Sequence, residues 1–247
     1  MRETMAQNIY DTPDFFAGYS QLPRQVLGLA GAPEWDAIRA LLPDVRGARV
    51  ADLGCGFGWA SRWFRAGGAA SVLGYDLSEN MIAQARARTD DPAIEYRIAD
   101  LEELTLPASA FDLVYSALTF HYIVDFSRLA EMIHRALVPG GSLVFTIEHP
   151  VYMAAAHPRW TEDEDGRPTW PVNGYADEGE RRTDWFAPGV VKQHRKLATT
   201  LNTLIAGGFD LLRLDEFAPT RAQVTAMPEL AVERERPMIL LVAARKR

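Results

Sequence analysis

The chain has 247 residues, 48% of them hydrophobic and 24% charged, with a formal net charge of -7. Length and composition point to one sizeable domain with a real core, at most two, and argue against disorder. The acidic balance weighs against a broad nucleic-acid footprint, and the single cysteine, Cys55, excludes an internal disulfide and suits a reducing compartment. The opening MRETMAQNIYD lacks the apolar run of a signal peptide and no window approaches a membrane span, so a soluble, cytoplasmic protein is expected.

Residues 1–46 are aromatic-rich at IYDTPDFFAGYS and helical at EWDAIRALLP, which predicts an N-terminal flap and helix ahead of the main fold. From residue 47 the pattern alternates. RVADLG reads as a short buried strand, WASRWFRAGG as a helix stopped by Gly67 and Gly68, and SVLGYD as a second strand. LSENMIAQARART follows as a helix with Ser78 at its N-cap. IEYRIAD and FDLVYSA are a third and fourth strand. FSRLAEMIHRALVPGG puts Leu129, Met132, Ile133, Ala136 and Leu137 on one helical face, with a stop at Pro139-Gly140-Gly141, and SLVFTIE is a fifth strand.

After Glu148 the rhythm breaks. Residues 150–193 contain Trp160, Trp170 and Trp185, five prolines and the acidic run EDED, which reads as a solvated loop. The aromatic content argues for a folded insertion that caps something. HRKLATTLNTLIAGG then resumes as a helix, and FDLLRLDEF and PMILLVAARKR are two more strands. The sum is an α/β fold: a Rossmann-like, doubly wound, mostly parallel seven-stranded sheet with helices on both faces and a C-terminal antiparallel hairpin. The expected divisions are 1–46 flap and helix, 47–149 core, 150–193 capping insertion, and 194–247 completing the same domain.

The stretch RVADLGCGFGWASRWF carries the chemistry. In a doubly wound sheet a ligand sits where the first strand turns into the first helix, and glycines there let it approach the backbone. Gly54 and Gly56 fit a dinucleotide fingerprint, but Trp59 occupies its third glycine position, and no Lys-Ser/Thr pair makes a phosphate-binding loop. Asp52 at the mouth of the loop suits an ammonium group, and the helix N-terminus behind it suits a carboxylate. Asp76, 24 residues on, ends the second strand, where a carboxylate accepts from both hydroxyls of a ribose. Asp100, a further 24 on, ends the third, where it accepts from an adenine amino group. Amino acid, ribose and adenine in that order describe S-adenosyl-L-methionine.

VADLGCGFG, GYDLSENMI, IADLEEL, FDLVYSALTFHYI and LVPGGSLVFTIEHP together resemble the successive motifs of class I S-adenosylmethionine-dependent methyltransferases, specifically the type-11 domain of quinone-biosynthesis and other small-molecule methyltransferases. The resemblance runs from about residue 48 to 150 and is silent about 150–193. It implies that Asp52, Gly54 and Gly56, with Cys55 between them, hold the methionine end. Asp76 takes the ribose, and Leu77 and Met81 lie against the adenine. Asp100, Leu101 and Glu102 read the adenine edge, and Ser116 lies near the methionine moiety. Apart from the resemblance, Tyr10, Phe15 and Tyr19 of the N-terminal segment are expected to close over the cofactor.

His121 follows the fourth strand at the end where the methyl group emerges, so it is the candidate general base or substrate-orienting group; packing under the flap is the alternative. Tyr10, Tyr152 and Trp185, with His121, are the candidate acceptor contacts, and Trp160 and Trp170 are expected to frame the same pocket. Cys55 reads as a small buried residue and not a nucleophile, and the histidines lack metal-ligand spacing, so no metal is expected. The partner expected is a small-molecule methyl acceptor, with S-adenosyl-L-homocysteine as co-product. The insertion's eight acidic residues against five basic disfavour tRNA, no membrane is expected, and the chain is a monomer or homodimer. Two other readings stay open: a nicotinamide-dependent oxidoreductase, and a non-catalytic S-adenosylmethionine-binding module.

Overall fold

The computed structural model describes residues 7–247; the segment MRETMA, read above for a signal run, lies outside them. Three helices come first, α1 (Pro13–Ser20), α2 (Pro23–Val26) and α3 (Trp35–Arg39). Strand and helix then alternate: β1 (Arg49–Leu53), α4 (Trp59–Ala66), β2 (Ser71–Asp76), α5 (Glu79–Ala87), β3 (Ile94–Ile98), β4 (Phe111–Ala117), α6 (Phe126–Ala136) and β5 (Leu137–Glu148). Next are α7 (Pro150–Met153), the short pair β6 (Thr161–Glu162) and β7 (Pro168–Thr169), and a hairpin of β8 (Gly179–Trp185) and β9 (Ala187–His194). The chain closes with α8 (Leu197–Ala206), β10 (Phe209–Phe217), α9 (Arg221–Ala226) and β11 (Ile239–Lys246).

The main sheet has seven strands in the order β10-β11-β5-β4-β1-β2-β3. β1 pairs in parallel with β2 and β4, while β11 runs antiparallel to both β5 and β10. The apolar runs read as strands are buried on both faces because helices cover each side. Along β1, Ala51 and Leu53 pack with Leu129, Ile133 and Phe145 on one face; Val50 packs with Trp35, Phe64 and Ile82 on the other. Ser78 caps α5 as its sequence predicts, its Oγ accepting from Met81 N–H at 3.1 Å.

One boundary differs from the sequence expectation. α6 stops at Ala136, and Leu137 already has extended backbone and pairs with Phe111 of β4. Strand pairing takes the residue that helical periodicity assigned to the helix. Pro139, Gly140 and Gly141 therefore lie inside β5, beside a register shift in β4, with Gly140 at φ +75°.

The N-terminal segment and the β8–β9 hairpin form a lid over the carboxyl ends of the strands. Phe15, fully buried, meets Trp185 edge-on at 5.5 Å and Phe186 at 6.0 Å. Gln7 brackets β9, donating to Gly189 O at 3.0 Å and accepting from Val191 N–H at 2.9 Å. Gly18 has only a hydrogen facing the hairpin, since a Cβ there would stand 2.6 Å from a ring carbon of Phe186.

Asp11 fastens this lid to the core. Its carboxylate accepts from Ser78 Oγ–H at 2.5 Å and from Glu79 and Asn80 N–H at 3.1 Å each, the first amides of α5. Partial burial works against the charge, but the hydrogen bonds from Ser78 and Asn80 outweigh it and hold the carboxyl below its ordinary range. Asp11→Ala is expected to cost about 1 kcal/mol, the worth of a helix-terminal carboxylate cap, read as a lower melting temperature. Amide exchange over residues 9–20 should rise in the same variant, because the lid loses its anchor.

Candidate functional site

A cavity of about 690 Å³ lies under the lid and is lined from the carboxyl ends of all five strands β1 to β5. The loop after β1 enters it with bare backbone: Gly54 has φ +78° and Gly56 φ +52°. A Cβ on Gly54 would collide with the Thr119 side chain, whereas one on Gly56 would project into open space. Glycine at the first position makes room for the protein, and at the second for a ligand.

Two carboxyls face this loop. Asp52 is buried and accepts from Ser61 Oγ–H at 2.6 Å. Burial raises its carboxyl to about 7, against the Ser61 hydrogen bond, and the Asp76 charge adds to the rise. Asp76, at the end of β2, accepts from Gly56 N–H at 2.9 Å and Ser78 N–H at 3.0 Å. Burial raises it to about 6, opposed by those amides and helped by Asp11. Each Asp76 oxygen therefore has one backbone donor and spare lone pairs directed by it. Asp100, after β3, accepts from Glu102 N–H at 2.9 Å, and Leu77, Met81 and Leu101 supply apolar walls nearby. Cys55 lines the cavity as well; burial, with the charges of Asp76 and Asp52, keeps its thiol protonated.

Two sequence-predicted residues lie outside the lining. Ser116 is fully buried in the sheet and donates to Leu53 O at 2.7 Å, tying β4 to β1. Glu102 turns away from the cavity, and its carboxylate accepts from Val124 N–H at 2.5 Å and Asp125 N–H at 3.4 Å ahead of α6.

The lid side of the cavity is aromatic. Tyr10, Tyr19, Tyr122, Tyr152 and Trp185 line it. Tyr10 and Tyr122 share a hydroxyl–hydroxyl hydrogen bond of 3.0 Å, and burial pushes both phenols up, so they stay neutral. His121 is buried, and its Nδ1 accepts from Glu148 N–H at 3.2 Å. Burial, with the positive charges of Lys192 and Arg195, holds the imidazole well below its ordinary range. The neutral ring thus carries its proton on Nε2. In that state Nε2–H is available to donate a hydrogen bond, while the Nδ1 lone pair is engaged by the Glu148 amide.

Trp160 and Trp170 frame something else. With Tyr152 they surround the Arg236 guanidinium, which lies 4.2 Å from the Trp170 ring centroid, 4.6 Å from Tyr152 and 5.0 Å from Trp160. Glu233 pairs with it at 2.6 Å. This clamp docks residues 152–170 onto the loop before β11. Arg236→Ala is expected to cost about 2 kcal/mol by losing stacked cation–π contacts and a buried ion pair. Limited proteolysis under native conditions should then cut faster within residues 154–178.

Three lining residues carried no sequence signal. Arg24 pairs with buried Glu34 at 3.0 Å and brings a cation to the cavity wall beside Tyr19. Glu148 ends β5, and Lys192 of β9 reaches it across the cavity, Nζ to Oε1 at 2.5 Å. The part of the insertion that lines the cavity carries Arg159, Arg182 and Lys192 against Asp184, although the insertion as a whole is acidic.

Residues 51–145 match the methyltransferase domain family Methyltransf_11. The chain is similar to the crystal structure of an S-adenosylmethionine-dependent methyltransferase from Mesorhizobium loti, 57% identical, with a TM-score of 0.86 over 89% of this chain and 100% of that one. It is 33% identical to an uncharacterized protein of Haemophilus influenzae over 97% of each chain. A malonyl-[acyl-carrier protein] O-methyltransferase of Enterobacter lignolyticus is 41% identical over 45% of this chain and 43% of its own length. The likeness to the Mesorhizobium structure extends well beyond residues 51–145, to 89% of this chain, and on that ground the chain belongs to the class I S-adenosylmethionine-dependent methyltransferases.

Proposed function

We propose that this chain binds S-adenosyl-L-methionine along the carboxyl ends of β1 to β3 and transfers its methyl group to a small-molecule acceptor held at the ends of β4 and β5. The observation that carries the reading is Asp76, a carboxylate aimed by two backbone amides beside a glycine backbone open to the cavity. The residues fit the cofactor along its length: Asp52 toward the ammonium, Arg24 toward the carboxylate, Asp76 toward the ribose hydroxyls, and Asp100 with Leu77, Met81 and Leu101 toward the adenine. When bound, the cofactor supplies a methyl group made electrophilic by its sulfonium.

The protein's own part is alignment and exclusion of water. The lid residues Tyr10, Tyr19 and Trp185 close the cavity with rings whose faces suit a cation. His121 Nε2–H orients the acceptor. Holding the acceptor in line with the breaking bond supplies up to about 7–11 kcal/mol of the barrier in favourable cases. In this reading residues 1–46 and 150–193 are the parts that choose the acceptor, 47–149 holds the cofactor, and 194–247 completes the domain. A partly covered cavity of about 690 Å³ shared with the cofactor favours a small acceptor over a macromolecule. The similarity to the malonyl-[acyl-carrier protein] enzyme covers under half of either chain, so it supports the cofactor and not that acceptor. The reading is tested by calorimetric titration with S-adenosylhomocysteine and, separately, NAD(H): heat with the first alone supports it, and heat with NAD(H) alone or with neither overturns it.

A further inference from the structure

We infer that Glu148 is the group that takes the proton of a protic acceptor, a hydroxyl or an amine, during methyl transfer; this rests on the reading above. Transfer to such an acceptor releases a proton. The acceptor's lone pair forms the bond to the methyl carbon, the electron pair of the broken C–S bond stays on sulfur, and the acceptor's own proton has to leave to a base.

Several other cavity groups are unsuited to receive it, and His157 of the lining is exposed to water in the loop after α7. His121 has its Nδ1 occupied by the Glu148 amide and its Nε2 protonated. Tyr10 and Tyr122 are neutral donors bonded to each other. Asp52, Asp76 and Asp100 lie at the ends of β1 to β3, in the cofactor half. Asp184 is exposed and accepts from Gly189 N–H within the hairpin turn. Glu148 sits at the end of β5, two strands beyond β1 on the side away from β2 and β3. That is the acceptor side of the sulfonium.

Its carboxylate is also half used. Oε1 is held by Lys192 at 2.5 Å, while Oε2 is buried with no hydrogen-bond partner among the described residues. A buried acceptor oxygen without a donor is costly unless something else supplies one. A hydroxyl or amine proton on the acceptor does so. Lys192, buried and set over the Trp185 ring at 5.2 Å, fixes the carboxylate by its first oxygen and leaves the second for the acceptor.

The test needs no knowledge of the acceptor. Sinefungin carries an amine-bearing carbon where the methylated sulfur stands, so its ammonium probes the place from which the methyl group leaves. Calorimetry would compare sinefungin with S-adenosylhomocysteine in the wild type, in Glu148→Gln, and in the double variant Glu148→Gln with Lys192→Met, which leaves no unpaired buried charge. The expected result is a preference for sinefungin in the wild type that falls at least tenfold in both variants, while S-adenosylhomocysteine affinity stays within about twofold. Removing Lys192 alone would favour a cationic analogue, so a fall in the double variant isolates the carboxylate. An unchanged preference overturns the inference, and so does loss of S-adenosylhomocysteine affinity in both variants, which would assign Glu148 to the framework. Failure of the wild type to bind either compound overturns the cofactor reading instead.

Discussion

Asp76→Ala is expected to weaken S-adenosylhomocysteine binding at least about 100-fold in calorimetric titration. The carboxylate is positioned by the amides of Gly56 and Ser78 at 2.9 and 3.0 Å, and each oxygen has lone pairs left for one ribose hydroxyl. Two hydrogen bonds to a charged acceptor are worth about 1.5–3 kcal/mol each, and alanine removes both together. Fold damage is separable, because Asp76 also carries a desolvated charge whose loss relieves the burial that raises its carboxyl. The variant should therefore melt close to the wild type while binding poorly. An affinity within a few-fold of the wild type would mean that the ribose is held elsewhere and that the second strand does not carry the cofactor.

Cofactor affinity should also fall steeply with acid, by roughly 100-fold or more between pH 8 and pH 5. The sign follows from two carboxyls raised by burial, Asp52 to about 7 and Asp76 to about 6. Both must be ionised to meet an ammonium and two hydroxyls, so below these values protons compete with the ligand. Near pH 6.5 binding should release protons, seen as a calorimetric heat that varies with the ionisation enthalpy of the buffer. In the ligand-free protein the linkage runs the other way. These carboxyls bind protons more tightly folded than unfolded, so their contribution to stability is present below pH 4 and is lost as pH rises through 6 to 7. Affinity independent of pH over this range would show that neither carboxylate faces the cofactor's charge.

Much of the β1–β3 lining of the cavity was legible because its signals are local. Each βα unit spends a similar length of chain, so carboxylates at successive strand ends recur at equal spacing, and Asp52, Asp76 and Asp100 all reach the cavity. Ser116 and Glu102 sit in the same motifs, but which way each side chain points is decided by its neighbours. Leu53 O claims the serine hydroxyl, and the amides before α6 claim the glutamate. Position along the chain could locate His121 but not its proton, which depends on an amide 27 residues away. The Glu148–Lys192 pair spans 44 residues and exists only once the hairpin folds back over the sheet. Trp160 and Trp170 read as pocket walls in sequence because their partner, Arg236, lies far off in the loop before β11.

The contact between Gly18 and Phe186 bears on how this protein can diversify. With 2.6 Å between the place of a Cβ and the phenylalanine ring, a larger residue at 18 pushes the exposed Phe186 ring out of its place against Phe15 and Trp185. The two stretches lie far apart in sequence, yet a substitution in one alters the packing of the other. A lineage that changes its acceptor by remodelling the hairpin therefore shifts the roof of its N-terminal segment as well, and a hairpin grafted alone from a relative would meet a segment shaped for another.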